Sequence, residues 1–272
     1  ILQHPEGKAL LQSLQAYSPH LSRLIAQQPE FFLSLCEQEI TTTYQEFCNA
    51  CDAYSVTDTS QAALMRDLRM QKNQLSLLAA LADIGGVWTL EEVTGALSRF
   101  ADHALATCCR FLLLQLAAKG ELTELNAGDP TAQSGLILLG LGKLGGQELN
   151  YSSDIDIMLL YDPEQLNYTG HYTLQHALSR MAQDLVMLMQ ERTAEGYVFR
   201  TDLRLRPDPS STPPAVSVPA ALSYYESVGQ NWERAALIKA RPVAGDLAAG
   251  EQFLKDIKPF IWRKHLDLSL IH

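Results

Sequence analysis

The chain has no excess of basic residues: its 21 lysines and arginines face 31 aspartates and glutamates, and the formal net charge of the 272 residues is −10. That balance excludes a nucleic-acid scaffold, whose affinity comes from cations laid along phosphates. No run approaches the ~18 to 20 apolar residues of a membrane span, and the longest candidate, Phe111 to Ala118, is too short. The seven histidines never form H-x-x-x-H, so a histidine metal centre has no support. Cysteine is scarce and odd in number, at Cys36, Cys48, Cys51, Cys108 and Cys109. Cys48-Asn-Ala-Cys51 has no second pair at zinc spacing and lies in helical rather than thioredoxin-like sequence, so all five are expected to be reduced, with Cys48, Cys51, Cys108 and Cys109 buried and structural. Repeats and low-complexity tracts are missing too. Ile1 in place of an initiating methionine reads as the start of a fragment or processed chain, the opening residues lack the form of a secretion signal, and a cytoplasmic location is expected.

Nearly half of the residues are hydrophobic, enough for one large core or two medium domains. The most informative stretch is Gly140-Leu-Gly-Lys-Leu-Gly-Gly-Gln-Glu-Leu-Asn-Tyr-Ser-Ser-Asp-Ile-Asp-Ile-Met-Leu-Leu160, a glycine-rich loop followed at once by two alternating aspartates on an apolar strand. Alternation on a strand sends Asp154 and Asp156 to one side and Ile155 and Ile157 to the other. Neighbouring carboxylates repel unless a cation lies between them, and a hard, oxygen-seeking ion such as magnesium is the natural occupant. Further along, Tyr197-Val-Phe-Arg-Thr-Asp-Leu-Arg-Leu-Arg-Pro207 alternates again, which predicts Arg200, Asp202, Arg204 and Arg206 on a common polar face. Asp202 would complete an acidic triad, and the guanidiniums would neutralise phosphate oxygens through their planar forks.

A rival reading is a dinucleotide-binding turn, because Gly140, Gly142 and Gly145 satisfy G-x-G-x-x-G after the apolar run Leu136 to Leu139. Such a unit needs a crossover helix between parallel strands, and the only residues available for one, Gly146 to Ser153, include Asn150, Ser152 and Ser153, which form helix poorly.

The order G-x-G-K-L-G-x-x-E-L-x-x-S-S-D-x-D, then D-x-R-L-R-P, then Tyr224-Tyr225 and Trp232-Glu-Arg-Ala-Ala-Leu-Ile-Lys-Ala-Arg241 resembles the family of bifunctional glutamine synthetase adenylyltransferase/adenylyl-removing enzymes, within the DNA polymerase β-like nucleotidyltransferase superfamily. The similarity is close from Leu136 to Asp246 and looser in the flanks. It implies an α+β fold: a mixed sheet with backing helices, preceded and followed by helical regions. Full-length members carry two catalytic halves. Asn150, Ser152, Trp232-Glu233-Arg234 and Lys239-Ala-Arg241 are similar to the N-terminal, adenylyl-removing half, whereas the transferase half more often has glycine at the positions of Asn150 and Ser152. The implied reaction is phosphorolysis, in which orthophosphate attacks the adenylyl phosphorus on a modified tyrosine of glutamine synthetase and releases ADP. The alternatives are the forward, ATP-dependent adenylylation and a docking module without turnover for glutamine synthetase or a PII-type signalling protein.

Roles follow from the same resemblance. Asp154, Asp156 and Asp202 would hold Mg2+ or Mn2+. Gly142, Gly145 and Gly146 would bring backbone amides to phosphate, Ser153 would donate its hydroxyl, and Lys143, Arg204 and Arg206 would contact phosphoryl oxygens. Where the family often has a glycine-containing turn after R-L-R-P, this chain has Asp208-Pro-Ser-Ser-Thr-Pro-Pro214, which predicts a stiffer loop. Trp232 reads as a core or interdomain contact, and Glu148, Glu233 and Lys239 as solvated charges.

Around that centre the chain reads as a helical region over 1–126, a catalytic core over 127–246 and the start of a further helical region over 247–272. Leu64, Leu68, Leu75, Leu78 and Leu81 share a helical stripe that ends at Asp83-Ile-Gly-Gly86. Thr89-Leu-Glu-Glu92 has the capping-box form, and a long helix should run from it to about Ala118, with Lys119-Gly120 as its stop. Asn126-Ala-Gly-Asp-Pro130 marks the turn before the first strand, Tyr172 to Arg192 a helix behind the sheet, and Ser210 to Pro219 a connector. Helices are expected again over Ala220–Tyr225, Asn231–Ala240 and Glu251–Leu266, the last broken near Pro259.

Overall fold

A computed structural model describes residues 5–123 and 125–262. Six helices come first: α1 (Pro5–Tyr17), α2 (Pro19–Gln27), α3 (Pro29–Glu37), α4 (Ile40–Asp52), α5 (Gln61–Ile84) and α6 (Leu90–Ala118). The stripe expected on α5 is fully formed, with Leu64, Leu68, Leu75 and Leu78 inaccessible to solvent. Helix α6 begins in the expected box: Thr89 Oγ1 accepts the Glu92 amide and Glu92 returns to the Thr89 amide at 2.7 Å. Such a cap is worth about 1 kcal/mol. The helix stops at Lys119, where Gly120 turns left-handed at φ +71°.

The second part alternates short strands and helices: β1 (Leu136–Leu141), α7 (Gly142–Gly145), β2 (Ile155–Tyr161), α8 (Leu174–Gln190), β3 (Thr201–Asp202), β4 (Ala215–Ser217), α9 (Val218–Ser227), α10 (Asn231–Leu237), β5 (Arg241–Gly245), α11 (Leu247–Asp256) and α12 (Lys258–Ile261). They build a five-stranded mixed sheet in the order β3-β2-β1-β5, with β4 also on the free side of β2. Strand β1 runs antiparallel to both β2 and β5, whereas β3 and β4 run parallel to β2. An antiparallel return from β1 to β2 through a four-residue helix excludes the dinucleotide-binding crossover, which joins parallel strands.

Both faces of the sheet are covered, which is why β1 is apolar at every position instead of alternating. One face packs Leu136, Leu138, Ile155, Ile157 and Leu159 against α6 and α8, in a core that continues to Leu64 and Leu68 of α5. The turn at Asn126, whose Oδ1 accepts the Gly128 amide, interrupts the chain, but the apolar core runs across it. The other face packs Ile137, Leu139, Met158 and Leu160 against Tyr225, Leu237 and Phe253 of α9 to α11. Asp156 belongs to this second face, two places before Met158, and is partly buried at the start of β2.

Several local expectations are corrected. The alternating strand expected over 197–207 stops at Asp202, because that carboxylate captures the Arg204 amide at 2.8 Å and turns the chain. The connector over 210–219 contains β4, and the helix expected to reach Ala240 ends at Leu237. Strand β5 was not anticipated, since its Pro242-Val-Ala segment is extended only by pairing with β1. Trp232 is 49% exposed and is not a core residue. Pro259 does mark a break, between α11 and α12, while the end of the helix expected to reach Leu266 lies outside the described residues.

Candidate active site

Two carboxylates lie side by side at the start of β2, with a third just before the strand. Asp156 and Asp202 are direct parallel partners across β2 and β3, so their side chains leave the same face, and Asp154 precedes Asp156 by one alternation. Their mutual influence is visible in Asp156, whose carboxyl is pushed up by burial first and then by the charges of Asp202 and Asp154. The glycine turn lies against the same point: Gly142 adopts φ +53°, and a Cβ there would come 3.1 Å from Asp156 Oδ2. Only glycine combines that backbone with that approach.

Two arginines occupy the outer acids. Arg200 pairs with Asp154 and donates to the Ser152 carbonyl at 2.8 Å. Arg204 forks onto Asp202, with Nε 2.8 Å from Oδ2, and holds that carboxyl below the usual range. The Arg204 side chain is 84% exposed and tethered at its far end to Asp202 alone among the contacts seen. Arg206 does not join it. Its guanidinium is turned to the carbonyls of Leu203, Pro209 and Thr212 at 2.9 to 3.3 Å, so it closes the proline-containing loop. The stiffness expected of Asp208–Pro214 therefore comes from an arginine as well as from proline.

The remaining expected contacts are divided. Lys143 is exposed and its charge lowers the Asp156 carboxyl, opposing the acids. Ser153 is turned into the preceding loop, where its hydroxyl donates to Asn150 Oδ1 at 2.9 Å. The Gly146 amide donates to Gly142 O within α7. Gly145 serves packing: a Cβ there would lie 2.1 Å from the Lys239 carbonyl. Lys239 and Arg241 brace this turn from outside it. Lys239 Nζ pairs with Glu148 at 2.7 Å, while Arg241 pairs with Asp102 of α6 at 2.8 Å and donates to Leu144 O. Neither Glu148 nor Lys239 is a bare solvated charge. Glu233, also expected in solvent, is buried, caps α10 and accepts the Tyr224 hydroxyl.

The donor set suits a hard divalent ion in kind: oxygen only, two carboxylates paired across strands with a third just before β2, and at Asp156 an excess of negative charge that a cation would relieve. Among the described residues no three Asp, Glu, His or Cys side chains already close on one point, because Arg200 and Arg204 draw Asp154 and Asp202 to themselves. A cation would have to take the carboxylates from these arginines.

A second group was missed in the sequence. Lys72 lies on the inner face of α5 and is 7% exposed, with Nζ 4.5 Å from the Phe199 ring centre and no hydrogen bond. The available signal was its place in the stripe Leu68-x-x-x-Lys72-x-x-Leu75, where an apolar residue belongs. Its neighbour Arg69, wholly buried, donates to the carbonyls of Met65, Glu191 and Gly196 and anchors the loop after α8.

The family model described as "Glutamate-ammonia ligase adenylyltransferase" matches residues 8–256. Among curated proteins, the chain is 45% identical over 264 residues to a bifunctional glutamine synthetase adenylyltransferase/adenylyl-removing enzyme of Bradyrhizobium sp. (strain BTAi1), a match covering 97% of this chain and 27% of the relative. Proteins of the same description from Agrobacterium fabrum and Caulobacter vibrioides are 53% and 46% identical, over 76% and 94% of the chain and 21% and 26% of their own lengths. The chain thus spans about a quarter of the length of the curated relatives it matches.

Proposed function

The chain belongs to the glutamate-ammonia ligase adenylyltransferase family, and from that premise we propose that it is a catalytic nucleotidyltransferase module working in the adenylyl-removing direction. The observation that carries the catalytic reading is the pairing of Asp156 with Asp202 beside the Gly142 turn. A docking surface has no use for like charges placed side by side at a cost in repulsion. The direction rests on Asn150, Ser152 and the Trp232–Arg241 motif, which resemble the adenylyl-removing half.

In the proposed reaction an oxygen of orthophosphate attacks the adenylyl phosphorus, the bond from that phosphorus to the tyrosine oxygen breaks, the tyrosine oxygen takes the proton that orthophosphate gives up, and ADP departs. Asp154, Asp156 and Asp202 would hold Mg2+ or Mn2+, which supplies charge neutralisation at the attacking and leaving oxygens. Arg204, long, exposed and paired with Asp202, a carboxylate that the ion would claim, would then be free to contact phosphate oxygens. Lys143 adds positive charge from the glycine turn. Arg206 acts indirectly, by fixing the loop from which Arg204 extends.

The test is a product assay with adenylylated glutamine synthetase, magnesium and phosphate. ADP in step with loss of the modification supports the proposal. Pyrophosphate formed from ATP with unmodified glutamine synthetase, and no ADP from phosphate, assigns the forward reaction instead. Tight binding of glutamine synthetase with neither product assigns docking alone.

A further inference from the structure

Lys72 floors a cleft between the N-terminal helices and the loops that lead into β2 and β3. The cleft has two adjoining chambers of about 290 and 360 Å³ that share His20, Arg23, Asn73, Glu195, Gly196 and Tyr197. Its walls are constructed rather than incidental. Arg69 and Asn73 of α5 hold the 191–196 loop by its carbonyls, and the Tyr151 hydroxyl reaches Asp83 at the end of α5.

Positive charge predominates inside, with Glu195 as the carboxylate among the lining residues. His20, Arg23 and Lys72 face one another closely enough that the His20 pKa is lowered, by burial first and then by the two cations. Arg192 lies over the Tyr197 ring at the second chamber. Glu195 accepts the Thr193 hydroxyl at 2.7 Å instead of meeting Lys72. In a protein of net charge −10, an ammonium that has an aromatic ring but no hydrogen-bond acceptor beside it would be relieved by an anion in the adjoining cleft.

We propose that this cleft binds a phosphate group, with Lys72 at its floor and Arg23 and His20 at its mouth, as a site distinct from the carboxylate face. Several convergent cations suit a dianion better than a single carboxylate, and their combination of a point charge with a planar fork is the usual means of holding phosphate. The volume exceeds the needs of free orthophosphate and falls in the range of small-molecule sites, and Tyr151, Tyr197 and Phe199 supply flat walls. The shared chemistry is the phosphate, free or carried by a nucleotide. The site does not depend on the direction of adenylyl transfer.

Calorimetric titration of the full chain with orthophosphate, with adenosine monophosphate and with chloride at matched ionic strength tests this, with a chelator present so that no divalent ion bridges phosphate to the acids. Saturable binding of either phosphate is expected, weakened roughly ten- to a hundredfold by Lys72→Met and also by Arg23→Ala. The latter alters an exposed residue and keeps the test open if the buried substitution disturbs folding. Lys255→Ala, an exposed charge outside the cleft lining, should leave the titration unchanged. Equal affinity for both ligands identifies free phosphate as the occupant, and at least tenfold tighter adenosine monophosphate a carried one. Absence of saturable binding, wild-type affinity in a folded Lys72→Met or Arg23→Ala, or an equal loss in Lys255→Ala would each overturn the proposal.

Discussion

The carboxylate face and the Lys72 cleft solve the same electrostatic problem in opposite ways. At the face, Asp154 and Asp202 each carry a guanidinium that is half or more exposed and can swing away, so the charge is balanced by a replaceable partner. In the cleft, Lys72 is buried, and the lining acid Glu195 bonds Thr193 instead. Exposed ion pairs of the first kind contribute little to stability. A buried unpaired charge of the second kind costs stability until something binds. The first arrangement is therefore poised for exchange, and the second for capture.

The contrast is broken most severely by substituting the centre of the face. Asp156→Asn keeps the volume and removes the charge on which its neighbours converge; turnover should fall at least about a hundredfold, as expected when a main electrostatic contact is lost, while the melting temperature holds or rises. Undiminished ADP release from a folded Asp156→Asn would remove Asp156 from the chemistry. Next in size is Arg69→Met, which removes the guanidinium's hydrogen bonds to the carbonyls of Met65, Glu191 and Gly196. Chemical denaturation should show a loss of roughly 3 kcal/mol, since hydrogen bonds from a charged group are worth about 1.5–3 kcal/mol each.

The cleft itself predicts a gain. Lys72→Met fills similar space without a charge, and without phosphate it should be more stable than the parent by about 1–3 kcal/mol. A pH series sharpens the point. Burial pulls the Lys72 pKa from 10.5 to about 8, so between those values the unfolded chain binds more protons than the folded one and stability rises with pH. Below pH 8 both states are charged and the full penalty stands. The increment between pH 8 and 10.5 should be present in the parent and flattened in Lys72→Met; parallel curves would mean that Lys72 is not strained in the fold. The smallest effect is expected from Arg204→Ala, whose side chain is mostly in water. Its melting temperature should match the parent, and NMR titration should find the Asp202 carboxyl returned toward its ordinary range.

Much of this plan was legible from the sequence, and the residues that were not share a cause. The α5 stripe, the Thr89 box, the Gly120 stop and the covered strand carrying Asp156 follow from local periodicity and capping, which act within a few residues. Asp202 was placed beside Asp156 by alternation across a motif, and the register Asp156↔Asp202 depends on just the two residues of β3 that are extended. Alternation failed beyond them because a side chain bonding its own backbone outweighed strand propensity, as Asp202 does with the Arg204 amide. Strand β5, the carbonyl contacts of Arg206 and the ion pairs of Lys239 and Arg241 depend on partners distant in sequence or on loop closure. Lys72 left a trace, a charge in an apolar stripe, but only its surroundings reveal that nothing answers it.

Arg200 stands where the two regions touch. One edge of its guanidinium holds Asp154, while its other contacts, the Ser152 carbonyl and the Tyr197 hydroxyl, belong to residues that line the cleft. It is a party wall. A divalent ion that took Asp154 would leave Arg200 moored only on the cleft side, adding a positive charge to a chamber already rich in them, and a dianion settled there would in turn draw the arginine off the aspartate. Occupancy on either side then lowers the work of filling the other, and because such coupling is reciprocal, the ion and the phosphate would report on each other's presence without touching.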